Sequence, residues 1–166
     1  MRSSAQIPNK IYDKHALIKQ VFVWKMLGKK IVFTNGVFDI LHKGHIASLT
    51  EAASFGDILI VAVNKDNSVT KLKGPTRPIN DENARALILA SLLQTDAIIL
   101  FAEDTPLELI TALMPDVLVK GGDYTVDQIA GAKEVMVNGG EVKIAKIVEG
   151  ISTTNIIKKM KGELEN

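Results

Sequence analysis

Short, continuous apolar runs alternate with longer stretches of mixed apolar and polar residues along most of this chain. Five of the short runs predict buried strands, at residues 30–34, 57–63, 97–101, 117–119 and 142–147. The longer stretches predict helices at residues 13–27, 44–54, 80–93 and 132–137, with a short one at Pro106 and a last one opened by Ser152. Runs that are apolar throughout, rather than at alternate positions, are typical of parallel strands covered on both faces. The pattern therefore predicts an α/β fold, a Rossmann-like open sandwich with a five-stranded parallel sheet flanked by helices.

The N-terminal part of the chain divides at Asp13. Residues 1–12 show no apolar period and are predicted to form a flexible tail, whereas residues 13–166 are predicted to form a single domain. Asp13 is suited to cap a helix over residues 13–28, which Gly28 is suited to end. Apolar residues occupy much of the circumference of that helix, so we expect it to pack on the domain or on a second subunit, in a dimer or larger assembly.

The amino-acid composition says more about the possible binding partners of the protein than about its fold. The 166 residues suffice for one domain with a buried core, and 20 basic residues nearly balance 19 acidic ones. This balance gives no general attraction to nucleic acid or to an anionic membrane, so we expect neither as a partner. The absence of cysteine excludes disulfides and thiolate metal sites. No apolar run approaches the length of a membrane span, and residues 1–10 lack the apolar segment of a secretory signal, so we expect a cytoplasmic location.

The most informative segment, TNGVFDILHKGH at residues 34–45, follows the first predicted strand. His42 and His45 are three residues apart across Gly44, which places both imidazoles on one face of the first turn of a helix. The N-terminus of a helix attracts phosphate, and two imidazole donors there suit a phosphate whose charge grows as its leaving group departs. The alternatives are two surface or capping histidines, or a metal site, for which no third ligand stands at helical spacing.

A second segment of the same kind follows the fifth predicted strand. Residues 149–157 read EGISTTNII, in which Gly150 leads into a helix opened by Ser152, Thr153 and Thr154. One of these hydroxyls is expected to serve as the N-cap, but three in a row exceed what capping needs. Hydroxyls and free N–H groups form a second phosphate cradle, so two helix N-termini facing one cleft predict a triphosphate site.

The two segments together resemble the cytidylyltransferase-like nucleotidyltransferases, in the forms Asn35-Gly-x-Phe-Asp-x-x-His-x-Gly-His45 and Ile151-Ser-Thr-Thr-x-Ile156. Further segments follow in order and are similar to the adenylyltransferase half of the bifunctional ADP-heptose synthases: Val61–Asn64, Leu72–Gly74 with Arg77-Pro78, Glu103–Pro106, Leu118–Tyr124 and Ser152–Lys159. The resemblance covers roughly residues 29–160, and the ordered set is more specific than the histidine pair. The bifunctional enzymes also carry a sugar-kinase domain, for which this chain has no room, so the resemblance implies a stand-alone form and a separate heptose kinase.

The resemblance implies a reaction. ATP and D-glycero-D-manno-heptose 1-phosphate would give ADP-heptose and pyrophosphate, through in-line attack on the α-phosphate without a covalent enzyme intermediate. The protein would then contribute mainly positioning and electrostatics. We expect Mg²⁺ to arrive with the triphosphate, because the sequence offers no carboxylate cluster that would fix it and no protein metal ligand is predicted.

The resemblance also assigns roles. Catalytic roles fall to His42, His45 and Lys73, and substrate contacts to Asp39, Asn64 and Arg77. Nucleotide contacts are expected from Asn35, Gly36, Val37 and Phe38 along the α-phosphate, from Gly44, from Lys120, Gly121 and Asp123 beside the nucleoside, and from Ser152, Thr153 and Thr154 at the β- and γ-phosphates. Lys73 and Arg77 fall on the polar loop predicted after the second strand, where the alternative is solvated surface charge. For Asp39 we favour a role in orienting the backbone of the first motif over one near a metal.

Three other functions remain open. The nearest is a CTP-dependent cytidylyltransferase acting on glycerol 3-phosphate or a similar phospho-alcohol, since the two motifs alone do not separate ATP from CTP. A nucleotide-binding regulatory module without catalysis is a second, although both histidines, Lys73 and the three hydroxyl residues are present. A fragment of a class I tRNA synthetase is a third, which the short chain, its neutral charge and the lack of a Lys-Met-Ser-Lys-Ser loop disfavour.

Overall fold

A computed structural model describes residues 4–122, 124–146 and 152–162 of the chain. Within them, six parallel strands form one sheet: β1 Ile11–Tyr12, β2 Ile31–Gly36, β3 Ile58–Asn64, β4 Ala97–Phe101, β5 Val117–Gly121 and β6 Glu141–Ala145. The α-helices are α1 Lys14–Met26, α2 Lys43–Ala53, α3 Asp66–Lys73, α4 Glu82–Ala90, α5 Leu107–Leu113, α6 Ala132–Val137 and α7 Thr153–Met160. Short 3-10 helices span Ser4–Gln6, Pro8–Lys10 and Val126–Gln128.

Both faces of the sheet are covered by helices, as the continuous apolar runs predict. Phe33 and Ile60 point to the face covered by α1, α5 and α6, whereas their neighbours Val32 and Val61 point to the face covered by α2 and α4. All four side chains are buried, and full burial of an apolar side chain of this size contributes about 1.5–3 kcal/mol. The predicted Rossmann-like α/β class is confirmed.

The sheet has six strands rather than the predicted five. The additional strand, β1, pairs in parallel with β4 through Ile11 and Ile98 and through Tyr12 and Ile99. Lys10 fixes the same edge because its ammonium group donates to the carbonyl of Thr95 over 2.6 Å. A strand of two residues is too short to leave a periodic pattern in the sequence, and the predicted tail through residue 12 is corrected here. The predicted cap at Asp13 is present, since its carboxylate accepts a hydrogen bond from the Ala16 amide of α1.

The helix α3 is a second difference from the sequence analysis. Residues 66–73 form this helix where a polar loop was predicted, so Lys73 is the last residue of a helix rather than part of a loop. Only Ser68 and Val69 of the eight residues are buried, and one buried apolar residue gives no apolar period to read. Lys73 therefore stands at the C-terminus of a helix.

The strand order β1-β4-β3-β2-β5-β6 defines where a ligand fits. From β2 the chain proceeds through β3 to β4 on one side and then returns to β5 and β6 on the other. Such a reversal opens a crevice beyond the carboxyl ends of the two central strands. Here it lies between Asn35 at the end of β2 and Lys120 at the end of β5, whose strands pair through Thr34 and Val119.

Candidate active site

Two cavities lie at the carboxyl edge of the sheet. The first, here called the histidine cavity, has a volume of about 360 Å³ and ten lining residues. Every one of them is among the residues predicted from sequence: Val37, Phe38, Asp39, His42, His45, Lys73, Arg77, Ser152, Thr153 and Thr154. The fold therefore brings the first motif, the end of α3 and the start of α7 to one place.

The second cavity, here called the strand-end cavity, has a volume of about 370 Å³. Six of its lining residues were predicted: Asn35, Gly36, Val37, Asn64, Lys73 and Lys120. The others include Asp104, Thr105, Tyr124, Gln128 and Ile129. Val37 and Lys73 line both cavities, so a group bound in one cavity can meet a group bound in the other at these two residues.

The two histidines form a stacked pair at the start of α2. His42 is the N-cap residue of the helix and His45 lies in its first turn, with ring centroids 3.9 Å apart and planes inclined by 18°. Phe38 packs its edge against His45 at 5.3 Å between centroids. The predicted placement of both imidazoles on one face is confirmed.

Phe38 is held in an unusual backbone conformation to make this contact. Its φ is 51°, in the left-handed region that residues other than glycine seldom adopt. Gly36 makes room for it, because a Cβ at that position would lie 3.0 Å from the Phe38 ring. Strained residues of this kind cluster at functional sites, where the surrounding structure determines their conformation.

Burial keeps both imidazoles neutral at physiological pH. Desolvation and the charge of His42 lower the pKa of His45 to about 4, although the Ile40 carbonyl acts in the opposite direction. Burial also lowers the pKa of His42. Among the described residues, the only buried side-chain nitrogen or oxygen atoms that lack a hydrogen-bond partner of good geometry are the two Nδ1 atoms of this pair. A bound anion would compensate for both effects.

The hydroxyl residues of α7 divide their tasks. Ser152 is the N-cap, with its Oγ accepting from the Asn155 amide over 3.1 Å, as expected of one of the three. The Thr153 hydroxyl donates to the carbonyl of Ile40 over 3.2 Å, which ties α7 to the segment just before His42. Thr154 is exposed at the rim of the cavity. The rest of this motif, Glu149 to Ile151, lies outside the described residues.

Asp39 and Arg77 form a largely buried ion pair on the wall of the histidine cavity, with 2.6 Å between Oδ2 and Nε. The other carboxylate oxygen, Oδ1, accepts from the amides of Ile79 and Asn80. Asp39 thus orients residues 77–80 rather than the backbone of its own motif. Contacts of Asp39 and Arg77 with a substrate stay predictions.

Lys120 and Asn64 present polar groups to the strand-end cavity. The Lys120 ammonium donates to Asn35 Oδ1 over 3.2 Å and lies 5.4 Å from the centroid of the Tyr124 ring. Burial lowers its pKa. The Asn64 amide group donates to Ser68 Oγ over 3.1 Å and is 5% exposed. Both side chains are therefore held in place by neighbours.

For the remaining predicted nucleotide contacts, Gly121, Gly44 and Asp123, the structure gives less detail. Gly121 ends β5 close to α2, where a Cβ would lie 3.1 Å from Ser48 Oγ. Gly44 is half-buried in the first turn of α2. Asp123 lies outside the described residues. Roles for these three residues in binding a nucleotide stay predictions.

This geometry agrees with sequence similarity over most of the chain. Residues 33–159 match the model of the cytidylyltransferase-like family. The chain belongs to the cytidylyltransferase-like family. Bifunctional protein HldE of Histophilus somni is 54% identical over 150 residues, which cover 90% of this chain and 32% of that protein. HldE of Vibrio cholerae is 52% identical over 152 residues, covering 92% and 32%. The chain thus spans about a third of the length of these curated relatives.

Two solved structures share the fold of this cytidylyltransferase-like chain. The lipopolysaccharide core biosynthesis protein of Thermoplasma volcanium is 35% identical, with a TM-score of 0.59, covering 73% of this chain and 98% of that one. Pantoate-beta-alanine ligase of Francisella tularensis, solved with beta-gamma ATP and beta-alanine, is 17% identical with a TM-score of 0.54, covering 91% and 76%. The second likeness shows the fold alone.

Sequence reasoning missed one set of residues in the strand-end cavity and one buried arginine. Asp104 and Thr105 belong to the Glu103–Pro106 segment of the resemblance but were given no role, although their position after β4 was a usable signal. Gln128 and Ile129 come from a 3-10 turn and its end, and they leave no such signal. Arg85 of α4 is 1% exposed, whereas an arginine on an amphipathic helix is normally solvated.

The described part of the chain holds neither a metal-binding cluster nor a membrane helix. Within residues 4–122, 124–146 and 152–162, no group of three or more histidine, aspartate or glutamate side chains is arranged to hold a metal ion. No helix in these ranges is long and apolar enough to cross a membrane.

Proposed function

We propose that this chain transfers AMP from ATP to D-glycero-D-manno-heptose 1-phosphate, giving ADP-heptose and pyrophosphate for lipopolysaccharide-core or surface-glycan precursors. The observation that carries the proposal is the pair of cavities that meet at Val37 and Lys73, one of them lined by the stacked histidines. The similarity to a lipopolysaccharide core biosynthesis protein supports the proposed pathway, and the resemblance of the sequence segments to ADP-heptose synthases supports the proposed substrate.

The histidine cavity suits the triphosphate. The N-termini of α2 and α7 both border it, and each offers unpaired N–H groups and a partial positive charge. His42 and His45 add imidazole nitrogens, and the cationic groups of Lys73 and Arg77 stand at its wall. Donors of this kind, fixed before the substrate binds, stabilise the charge that develops on departing pyrophosphate.

The strand-end cavity suits the sugar phosphate. Its side chains combine amides, cations and a hydroxyl: Asn35, Asn64, Lys73, Lys120 and Thr105. Tyr124 and Ile129 supply apolar surface beside them. A ring with several hydroxyl groups and one phosphate requires this mixture, since each hydroxyl needs a hydrogen-bond partner when water is excluded.

The chemistry follows from this division. A phosphate oxygen of the sugar 1-phosphate attacks the α-phosphorus of ATP, and the bond from that phosphorus to the β-phosphate oxygen breaks on the opposite side. Pyrophosphate leaves with that oxygen's electron pair into the histidine cavity, and no bond to the enzyme forms. Lys73, which lines both cavities, balances the negative charge of the two phosphates as they approach.

Mg²⁺ is proposed to enter with the triphosphate. Magnesium keeps several of its waters and often takes only one or two carboxylates along with substrate phosphates. The ion would supply charge neutralisation of the phosphates, and the residues named above would hold the substrate.

The acceptor must carry its phosphate before it reaches this site. We infer that a separate sugar kinase supplies it in the cytoplasm. Reconstitution of ADP-heptose formation from unphosphorylated heptose, with and without an added heptose kinase, tests that inference.

A CTP-dependent transferase acting on glycerol 3-phosphate or a similar phospho-alcohol is the second candidate. The match to a family described as cytidylyltransferase-like favours it. The histidine cavity serves either nucleotide, because it contacts phosphates and not the base.

The deciding experiment is pyrophosphate release in a matrix of two nucleotides and three acceptors. ATP and CTP are each offered with the α anomer or the β anomer of heptose 1-phosphate, or with glycerol 3-phosphate, in the presence of Mg²⁺. Release with ATP and one heptose anomer is expected. Release only with CTP or only with glycerol 3-phosphate would replace the substrates, and no release with any pair would contradict a transferase of this class.

A further inference from the structure

Arg85 joins three segments around the active site without lining either cavity. It lies on α4 with its side chain fully buried. Nη1 donates to the Val37 carbonyl over 2.7 Å, Nη2 to Asp66 Oδ1 over 2.7 Å, and Nε to the Asn80 carbonyl over 3.0 Å. Each of its three nitrogens is therefore matched to a different segment of the chain.

Two of these partners control parts of the site. Val37 lines both cavities and immediately precedes Phe38, whose left-handed conformation sets the contact with His45. Asp66 is the first residue of α3, and Lys73 is its last. At a rise of about 1.5 Å per residue, Lys73 lies roughly 10 Å from Asp66 along the helix. A change in the tilt of α3 at Asp66 therefore moves Lys73.

Other hydrogen bonds brace the same junction. The Asp66 amide donates to Glu82 Oε2 over 2.8 Å, which fixes the start of α3 to α4 a second time. The Asn80 side chain donates to the Asp39 carbonyl over 2.7 Å, so Asn80 connects Arg85 with the first motif as well. The network holds α3 in a set orientation relative to the turn that follows β2.

A buried guanidinium is costly to desolvate, and an apolar residue of similar size is often at least as stabilising. Its benefit here is geometric, since one planar group fixes the Val37 carbonyl and the start of α3 relative to each other. We propose that Arg85 is a positioning residue that sets the distance between Lys73 and the phosphate-binding turn. This role rests on the transferase function proposed above.

A double-mutant cycle between Arg85 and Lys73 tests the role. The variants are Arg85→Lys, Lys73→Met and the two combined, with kcat and KM measured from pyrophosphate release. Arg85→Lys retains the charge but loses the forked geometry. We expect it to lower kcat by about 10²-fold in the wild-type background, the scale of a misplacement of roughly 1 Å, with a smaller change in KM for ATP. In the Lys73→Met background the further loss should be less than about threefold, because the group that Arg85 positions is absent.

Asp96→Asn provides the control for general loss of stability. Asp96 accepts from the Leu59 amide at the opposite end of the sheet from the cavities. Asp96→Asn should lower the melting temperature. The coupling between Arg85 and Lys73, measured again in the Asp96→Asn background, should be unchanged. Equal losses from Arg85→Lys in both backgrounds, or near-normal kcat in a folded Arg85→Lys protein, would overturn the positioning role.

Amide hydrogen exchange separates failure of this role from failure of the proposed function. Arg85→Lys should speed exchange in residues 66–73 more than Asp96→Asn does at matched melting temperature. This measurement needs no turnover, so it still applies if the wild-type protein releases no pyrophosphate. Exchange in α3 that equals the Asp96→Asn value would remove the positioning role whatever the substrates are.

Discussion

His42 and His45 stack with ring centroids 3.9 Å apart, and neither Nδ1 atom has a hydrogen-bond partner of good geometry in the described structure. Two protonated imidazoles at this distance would repel each other, and burial adds to the cost of charging either. The pair is therefore suited to bind an anion. The negative charge of the anion would favour protonation of the imidazoles and offset the cost of charging them.

Replacing either histidine should reduce turnover far more than stability. His42→Asn and His45→Asn each remove the imidazole Nε2, whose position the shorter Asn amide does not reach, and loss of one such donor costs about 10²–10³-fold in kcat. Pyrophosphate release under saturating substrates measures the effect. His15→Asn on the exposed face of α1 is the matched control and should retain full activity. Near-normal turnover in either site variant would contradict the proposed role of the pair.

Binding of the triphosphate should take up protons. The pKa of His45 is about 4 in the free protein, so this imidazole is neutral at about pH 6. A nearby polyphosphate favours the charged form and raises the pKa, so the complex holds protons that the free protein lacks. Calorimetric titration in buffers of different ionisation enthalpy measures the uptake. The uptake should shrink in His45→Asn, and a binding enthalpy that is independent of the buffer would exclude it.

The same depressed pKa should make the free protein sensitive to acid. As the pH falls from 6.5 towards 4, the unfolded chain binds a proton at His45 that the folded protein does not. The free energy of unfolding therefore decreases through this window and levels off below it. His45→Asn should flatten the dependence of melting temperature on pH between these values. Parallel curves for wild type and His45→Asn would show that His45 is not the source.

The histidines and the hydroxyl residues of the histidine cavity could be predicted from a local signal in the sequence, whereas Lys73 and Arg77 were assigned through the family resemblance. His42, His45 and the hydroxyl residues Ser152 to Thr154 stand at the N-termini of the helices that come next in the chain after β2 and β6, and in a parallel fold ligands bind beyond the carboxyl ends of the strands. The backbone groups that form hydrogen bonds with these side chains could not be predicted from the sequence. The contact between Thr153 and Ile40 joins residues 113 positions apart in the chain, and only the folded topology brings them together.

Three other features could not be predicted from the sequence, for physical reasons. β1 pairs through only two residues and leaves no period. α3 owes its helical form to contacts at its ends, such as Asp66 with Glu82, because it has almost no apolar face. Arg85 is buried by virtue of three acceptors that come from separate segments. Each depends on long-range partners, which a pattern of neighbouring residues does not record.

The outer face of α1 should join two copies of the chain. Phe22 and Met26 are 66% and 73% exposed there, and Leu27, directly after the helix, is 69% exposed, which is costly for side chains of this size in water. We expect light scattering to give the mass of a dimer or larger at micromolar concentration, and Phe22→Ser with Met26→Ser to give that of a monomer. Val137→Ser, at an apolar residue that is 82% exposed on α6, is the control and should not change the mass. A monomer mass for the wild-type protein would contradict the assembly.

Lys120 should affect the acceptor more than the nucleotide. Its ammonium is fixed by Asn35 and by the Tyr124 ring, and it lines the strand-end cavity but not the histidine cavity. Lys120→Met should therefore raise KM for the sugar phosphate by about 10-fold or more, since a hydrogen bond to a charged group contributes about 1.5–3 kcal/mol. KM for ATP should change much less. Steady-state kinetics with each substrate varied in turn separates the two.

Lys133→Met, at an exposed lysine of α6 that lines neither cavity, is the control for removing a positive charge. Its kinetic constants should match those of the wild-type protein. A rise in KM for ATP alone in Lys120→Met would instead assign Lys120 to the nucleoside, as the sequence had suggested. Because Lys120 is held between Asn35 and Tyr124, the cavity that loses affinity identifies the substrate that occupies it.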